Sequence, residues 1–182
     1  MPQNTEIVAL VDRSGAVVGR AERSVVRREN LMHAATAVLV RDPDGRIYVH
    51  RRSPDKDWAP DHHDAAAGGI LTDGEDPEVS AARELAEELG ITGARLRPLG
   101  LSVYEDDTTR CVEHCFETTW AGPVRHADGE VVWGAWMSLE ELDGHLADPG
   151  WRFVPDTRAL LARLATAGTG DYASLASLRA PA

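Results

Sequence analysis

The sequence is nearly devoid of lysine: eighteen of its nineteen cationic residues are arginine, and Lys56 stands alone. Its two cysteines, Cys111 and Cys115, are too few for a disulfide framework or a zinc site. They also lack the two-residue gap of a redox motif, so free thiols are expected. No apolar run approaches the roughly 20 residues that span a bilayer, and Met1-Pro2-Gln3-Asn4-Thr5-Glu6 has neither the basic flank nor the apolar core of a signal peptide. A soluble, cytoplasmic protein is the expectation. Positive charge is also scarce: 19 Lys+Arg against 30 Asp+Glu give a net charge of −11. That field repels phosphate backbones and anionic membranes, which argues against general nucleic-acid binding and membrane partners. What remains, 182 residues of which 43% are hydrophobic, suits one globular domain with a sizeable core.

Local patterns predict a hairpin, Ile7 to Asp12 and Ala16 to Arg20, turned by Arg13-Ser14-Gly15, then a short helix or turn over Ser24 to Asn30. Strands are expected at His33 to Arg41 and Arg46 to Ser53, joined by the turn Asp42-Pro43-Asp44-Gly45. A polar loop follows over Pro54 to Asp64, then a short strand through Ala65, Ala66 and Ala67. Asp76-Pro77 reads as an N-cap followed by proline in the first helical position, and Gly90 as the left-handed C′ residue, which predicts a helix over 77–89. Its apolar stripe is read as Val79, Ala82, Ala86 and Leu89. Further strands are expected at Leu96 to Tyr104, Cys111 to Trp120 and Val131 to Met137, and helices after Ser138 and over Asp156 to Leu164. The Gly-, Ala- and Ser-rich segment from Ala165 is expected to fray. The division is an N-terminal hairpin and helix (1–30), a main domain (31–165) and a flexible tail (166–182).

Glu84, Glu87 and Glu88 fall at i, i+3 and i+4 of the 77–89 helix, within one turn. Like charges so placed repel by a few tenths of a kcal/mol per pair or more. A hard divalent cation, Mg²⁺ or Mn²⁺, reverses that sign, because clustered carboxylate oxygens are its preferred ligands. Arg83, four residues before Glu87, can fix that carboxylate's rotamer. A solvated acidic face is the competing reading of the same run.

The longer register decides between them. Gly69, Glu75 and the run Arg83-Glu84-Leu85-Ala86-Glu87-Glu88-Leu89-Gly90-Ile91 keep the spacing of the Nudix box, and by this chain's composition a chance match falls below about one in a million. The sequence therefore resembles the Nudix hydrolase family. The resemblance implies an α/β/α sandwich with a mixed β-sheet, and water attack on a diphosphate linkage of a nucleoside diphosphate derivative or related small molecule. It also implies metal roles for Glu84, Glu87 and Glu88, joined by the Gly69 carbonyl, and a base that is either a box glutamate or a late-loop residue, here Glu130. Glu130 also fits an exposed turn after Asp128-Gly129. Glu75 is implied to orient the loop.

The flanks, from the hairpin through Leu31-Met32-His33-Ala34 to Arg51-Arg52-Ser53 and Lys56, resemble the branch related to isopentenyl-diphosphate isomerase. That resemblance implies diphosphate contacts for Arg52 and Lys56, with Arg51 beside them, although a solvated loop cation is the bland alternative. Pro60-Asp61 stands where that branch usually has Pro-Gly. The isomerase's cysteine and histidine before the box have no counterpart in Asp64-Ala65-Ala66-Ala67-Gly68-Gly69, so hydrolysis is expected over isomerisation, with a non-catalytic ligand-sensing module as a second alternative. His33 is read as a core histidine, and His62 and His63 receive no metal. Loops 54–64 and 105–110 are expected to choose the substrate. A homodimer is expected on general frequency alone.

Overall fold

The computed structural model of the protein describes residues 6–127 and 129–179. Asp128 of the proposed turn, the first five residues and the last three of the expected tail lie outside the described residues. The architecture is α/β, built on one mixed sheet of nine strands.

The strand β3 (His33–Arg41) organises everything else and is buried at every position. An Ala/Val/Leu run of this kind suits a strand covered on both faces. Along one edge it pairs in parallel with β8 (Arg110–Thr119) through its whole length, from His33↔Cys111 to Arg41↔Thr119, and β7 (Arg97–Glu105) adds antiparallel to β8. The other edge is shared in steps. Leu10 of β1 (Ile7–Val11) pairs with His33, Ile70 bridges Ala35, Ala66 and Ala67 of β6 pair with Leu39 and Val38, and Ile47 of β4 (Ile47–Arg52) pairs with Arg41. Outside these lie β2 (Val17–Glu22), β5 (His63–Asp64) and β9 (Val131–Met137).

The alternation along β3 sorts two cores. Val38 and Val40 join Ala81, Leu85 and Leu89 of α2 (Pro77–Leu89). Ala37 and Leu39, on the opposite face, join Leu142 and Leu146 of α3 (Leu139–Leu146) and Leu160, Leu161 and Leu164 of α4 (Pro155–Thr166). This is the expected helix, sheet, helix layering. The hairpin β1–β2 and α1 (Arg23–Glu29) close one end through Val8, Val26 and Ile70.

Helix α2 has the expected bounds. The Asp76 side chain accepts from the N–H groups of Glu78 (2.9 Å) and Val79 (3.2 Å), and Gly90 takes a left-handed φ of 65°. Its inward face differs from the expected stripe. Val79 is 60% exposed and Ala82 is exposed, while Ser80, Ala81, Leu85, Glu88 and Leu89 are buried. The helix is rotated so that a carboxylate, Glu88, enters the interior, which no hydrophobic pattern selects.

The segment after residue 165, expected to fray, is packed instead. Helix α4 continues to Thr166, and two 3-10 turns follow, Gly170–Ser174 and Ala176–Leu178. Tyr172 and Leu175 are fully buried against α3 and α4, a gain of roughly 1.5–3 kcal/mol per side chain. Arg41 ties the segment to β3, with Nη1 and Nη2 at 3.0 and 2.6 Å from the two Asp171 carboxylate oxygens and its guanidinium 4.9 Å from the Tyr172 ring centre. The Tyr172 hydroxyl donates to Glu117 at 2.5 Å.

Candidate active site

The site forms where the Ala66–Leu71 backbone passes under α2. A Cβ on Gly68 would lie 1.9 Å from the Thr36 carbonyl oxygen, and one on Gly69 would lie 2.7 Å from Glu84 Oε1. Gly68 therefore demands glycine, because the obstacle is backbone, whereas a side chain at Gly69 would displace the Glu84 carboxylate. The Gly68 N–H donates to Glu88 Oε2 at 3.3 Å. The Gly69 carbonyl already accepts from Thr36 N–H at 2.9 Å, which leaves its second lone pair for any ion.

Arg83 orders the carboxylates. It donates to both Glu75 oxygens (3.1 and 3.2 Å), to Glu84 Oε1 (2.8 Å) and to Glu87 Oε2 (3.2 Å). The hydrogen bond from Arg83 holds the Glu75 carboxyl below its ordinary range, so both its oxygens are engaged by that guanidinium. Glu87 is half exposed at the rim. Glu84 is pushed up by burial, against the opposing pull of Arg83. Glu88 has a side-chain exposure of 2%, and burial raises it to about 8 in spite of Lys56 and Arg52.

Lys56 Nζ lies 3.5 Å from Glu88 Oε1 and in direct contact with Glu130. The lone lysine thus sits between a box glutamate and the late-loop glutamate, and the three are brought together from three separate segments. Arg52 is mostly buried. It donates to the carbonyls of Ala59 and Trp58 (3.2 Å each) and lies 3.8 Å from Asp64. Arg51 pairs with Asp61 at 3.4 Å. Asp61 has a φ of 59° and Ala59 one of 45°, so a non-glycine residue holds the left-handed position where Pro-Gly would be usual. The Trp58 indole donates to Thr108 at 3.1 Å, which joins the two loops expected to select substrate.

His33 is buried, its Nδ1 2.9 Å from the Leu31 carbonyl oxygen, and burial lowers its pKa to about 4. It is a neutral core imidazole, as expected. His63 stacks on Trp151 at 4.6 Å. Both cysteines are free and buried.

Sequence reasoning missed a second group of acids. Asp64, Glu113 and Asp156 line a cavity beside Gly68 and Gly69. Burial pushes the Glu113 carboxyl well up, with Asp156 and Asp64 adding to it. The available signal was a glutamate flanked at i−2 and i+2 by Cys111 and Cys115, buried residues on the same strand face.

The all-oxygen donor set of Glu84, Glu87, Glu88 and the Gly69 carbonyl fits a hard divalent ion. An α/β sandwich carrying such a carboxylate turn over a Gly-Gly backbone defines a class of metal-assisted enzymes. Residues 31–159 match the NUDIX domain family. The chain is 46% identical over 167 residues to a Rhodococcus erythropolis protein named as the uncharacterized Nudix hydrolase orf19, covering 86% of this chain and 90% of that one. It is 34% identical to the uncharacterized Nudix hydrolase YfcD of Salmonella typhi, covering 94% and 91%. Among solved structures, DR0079 from Deinococcus radiodurans superposes with a TM-score of 0.68 at 25% identity, over 81% of this chain and 92% of that one. The chain belongs to the Nudix family, whose enzymes generally use divalent metals and act on pyrophosphate bonds.

Proposed function

We propose that the protein is a divalent-metal-dependent diphosphohydrolase, acting on a nucleoside diphosphate derivative or a related small-molecule diphosphate by water attack at phosphorus. One observation carries this reading: Glu84 and Glu88 converge on the Gly68-Gly69 backbone while Lys56 bridges Glu88 and Glu130. Glu84, Glu87 and Glu88, with the Gly69 carbonyl, would hold Mg²⁺ or Mn²⁺. When bound, such an ion neutralises the diphosphate and makes water more acidic.

The chain's own residues supply the rest. Arg83 keeps Glu84 and Glu87 in fixed rotamers, so positioning is prepaid before substrate arrives. Lys56 offers a compact cation to a phosphate oxygen, and its transfer to substrate frees Glu130 to accept the proton of the attacking water. Arg52, held by loop carbonyls, adds positive potential beside the diphosphate. Arg51 is tied to Asp61 and adds charge at the loop surface. Residues 64–69 offer neither thiol nor imidazole for proton transfer to an alkene, which favours hydrolysis over isomerisation.

The test is a panel of nucleoside diphosphate derivatives, sugar nucleotides and prenyl diphosphates with Mg²⁺ and Mn²⁺, read by phosphate release and product mass. Hydrolysis that falls by orders of magnitude in Glu87→Gln and Glu88→Gln, with the fold retained, supports the proposal. No turnover on any member overturns it. Tight binding without turnover would identify a sensing module, and rearrangement without release an isomerase.

A further inference from the structure

A cavity of about 70 Å³ lies between the β3–β8 part of the sheet and the first turn of α4. Cys111 and Glu113, two residues apart on β8, share a strand face, and the register sets them beside His33 and Ala35 of β3. Asp156, from the first turn of α4, meets them from the other side. One ligand atom each from Cys111, Glu113 and Asp156 lies within 4.8 Å of the others. Cys111 is 2% and Glu113 4% exposed.

Two features point to a missing cation. Glu113 Oε2 is buried without a hydrogen-bond partner, a cost of several kcal/mol if the group is charged. Two guanidiniums line the cavity: Arg52 is spent on two loop carbonyls and Asp64, and Arg27 pairs with Asp57 at 3.5 Å. Glu113 and Asp156 bond to one another, and Arg27, Arg52 and Arg163 act on the three groups from a distance. Each of those guanidiniums is engaged elsewhere, Arg163 by the Leu99 carbonyl.

We propose that Cys111, Glu113 and Asp156 form a second metal site, separate from the carboxylates of α2, for a borderline-soft divalent ion of the zinc type. A thiolate ligand favours such an ion over Mg²⁺. Three protein ligands leave a fourth tetrahedral position, as in zinc sites that bind water or a ligand. Gly68 and Gly69 wall the same cavity, so the box backbone separates the two sites. The ligand atoms need to close by about 1 Å to reach tetrahedral zinc distances, which rotamer adjustment of Glu113 and Asp156 supplies.

Co²⁺ titration of the metal-free full-length protein tests this without any substrate. The expected result is one equivalent giving a thiolate-to-cobalt charge-transfer band in the near ultraviolet, displaced by Zn²⁺ and unaffected by millimolar Mg²⁺. Cys111→Ser should abolish the band, while Cys115→Ser and Glu87→Gln should keep it. Asp156→Asn and Glu113→Gln should weaken binding by about tenfold or more; should Cys111→Ser fail to fold, these two and the retained Cys115→Ser band carry the test. No charge-transfer band in the wild-type protein, a band that follows Cys115, or Co²⁺ affinity unchanged in both carboxylate variants would overturn the assignment.

Discussion

With Glu88 as a ligand of the proposed metal site, metal binding is tied to protons. The Glu88 carboxyl is buried and held near 8 against an ordinary value of 4.5, so without metal it is mostly protonated at neutral pH. A cation can use it only after that proton leaves. The ionised fraction is about one hundredth at pH 6, a tenth at pH 7 and half at pH 8, so apparent Mg²⁺ affinity should rise about ninefold from pH 6 to 7, about fivefold from 7 to 8, and then level. The stability of the metal-free protein should move the opposite way. A carboxyl raised on folding contributes stability that is complete below pH 4.5 and is lost as pH climbs through 8, with a ceiling of roughly 5 kcal/mol. Calorimetric Mg²⁺ titrations at pH 6, 7 and 8, in buffers of different ionisation enthalpy, read both affinity and protons, and about 0.9 proton should be released at pH 7. Glu88→Gln should abolish tight Mg²⁺ binding and flatten the melting temperature of the metal-free protein between pH 5 and 8. A wild-type affinity that is flat from pH 6 to 8, with no proton release, would refute the reasoning.

Lys56→Ala removes a cation that lowers the Glu88 pKa, so the plateau of the affinity profile should shift above pH 8, and KM for the diphosphate should rise more than kcat falls. Gly69→Ala puts a Cβ 2.7 Å from Glu84 Oε1, so metal affinity should drop at least tenfold while the melting temperature changes little. In Gly68→Ala the clash is with the Thr36 backbone, at 1.9 Å, and soluble expression or cooperative unfolding should be lost. Tyr172→Ala empties a fully buried position and should cost about 3–5 kcal/mol in urea unfolding, with kcat unchanged at temperatures where the variant is folded.

Features set by neighbouring residues were legible in the sequence. The ends of α2 are local chemistry, an Asp76 side chain on two N–H groups and a glycine able to turn left-handed, and they lie where the residue types put them. The Arg83 contact to Glu87 follows from helical spacing, whereas its bond to the adjacent Glu84 does not. The face of α2 was not legible, because Glu88 is buried for a reason other than hydrophobicity. Counting apolar residues therefore put Val79 inside, whereas it is 60% exposed. The C-terminal segment misled for the converse reason. Its glycines and serines promise disorder, and its order comes from Tyr172 and Leu175, buried against α3 and α4, and from Arg41, 130 residues away from the Asp171 it holds.

The same distinction separates the two acidic groups. Glu84, Glu87 and Glu88 are close in sequence and share one turn, so a motif can encode them. Glu113 and Asp156 are far apart in sequence and meet only because β8 runs parallel to β3 and α4 begins over that edge. A carboxylate at an inward strand position is costly in an apolar core, and a chain that keeps one needs a partner for it. For Glu88 the structure supplies the Gly68 N–H and Lys56. For Glu113 Oε2, among the described residues, it supplies no hydrogen bond. An acid with that surrounding is a better guide to unassigned chemistry than any further motif, because folding alone gives no reason to keep it.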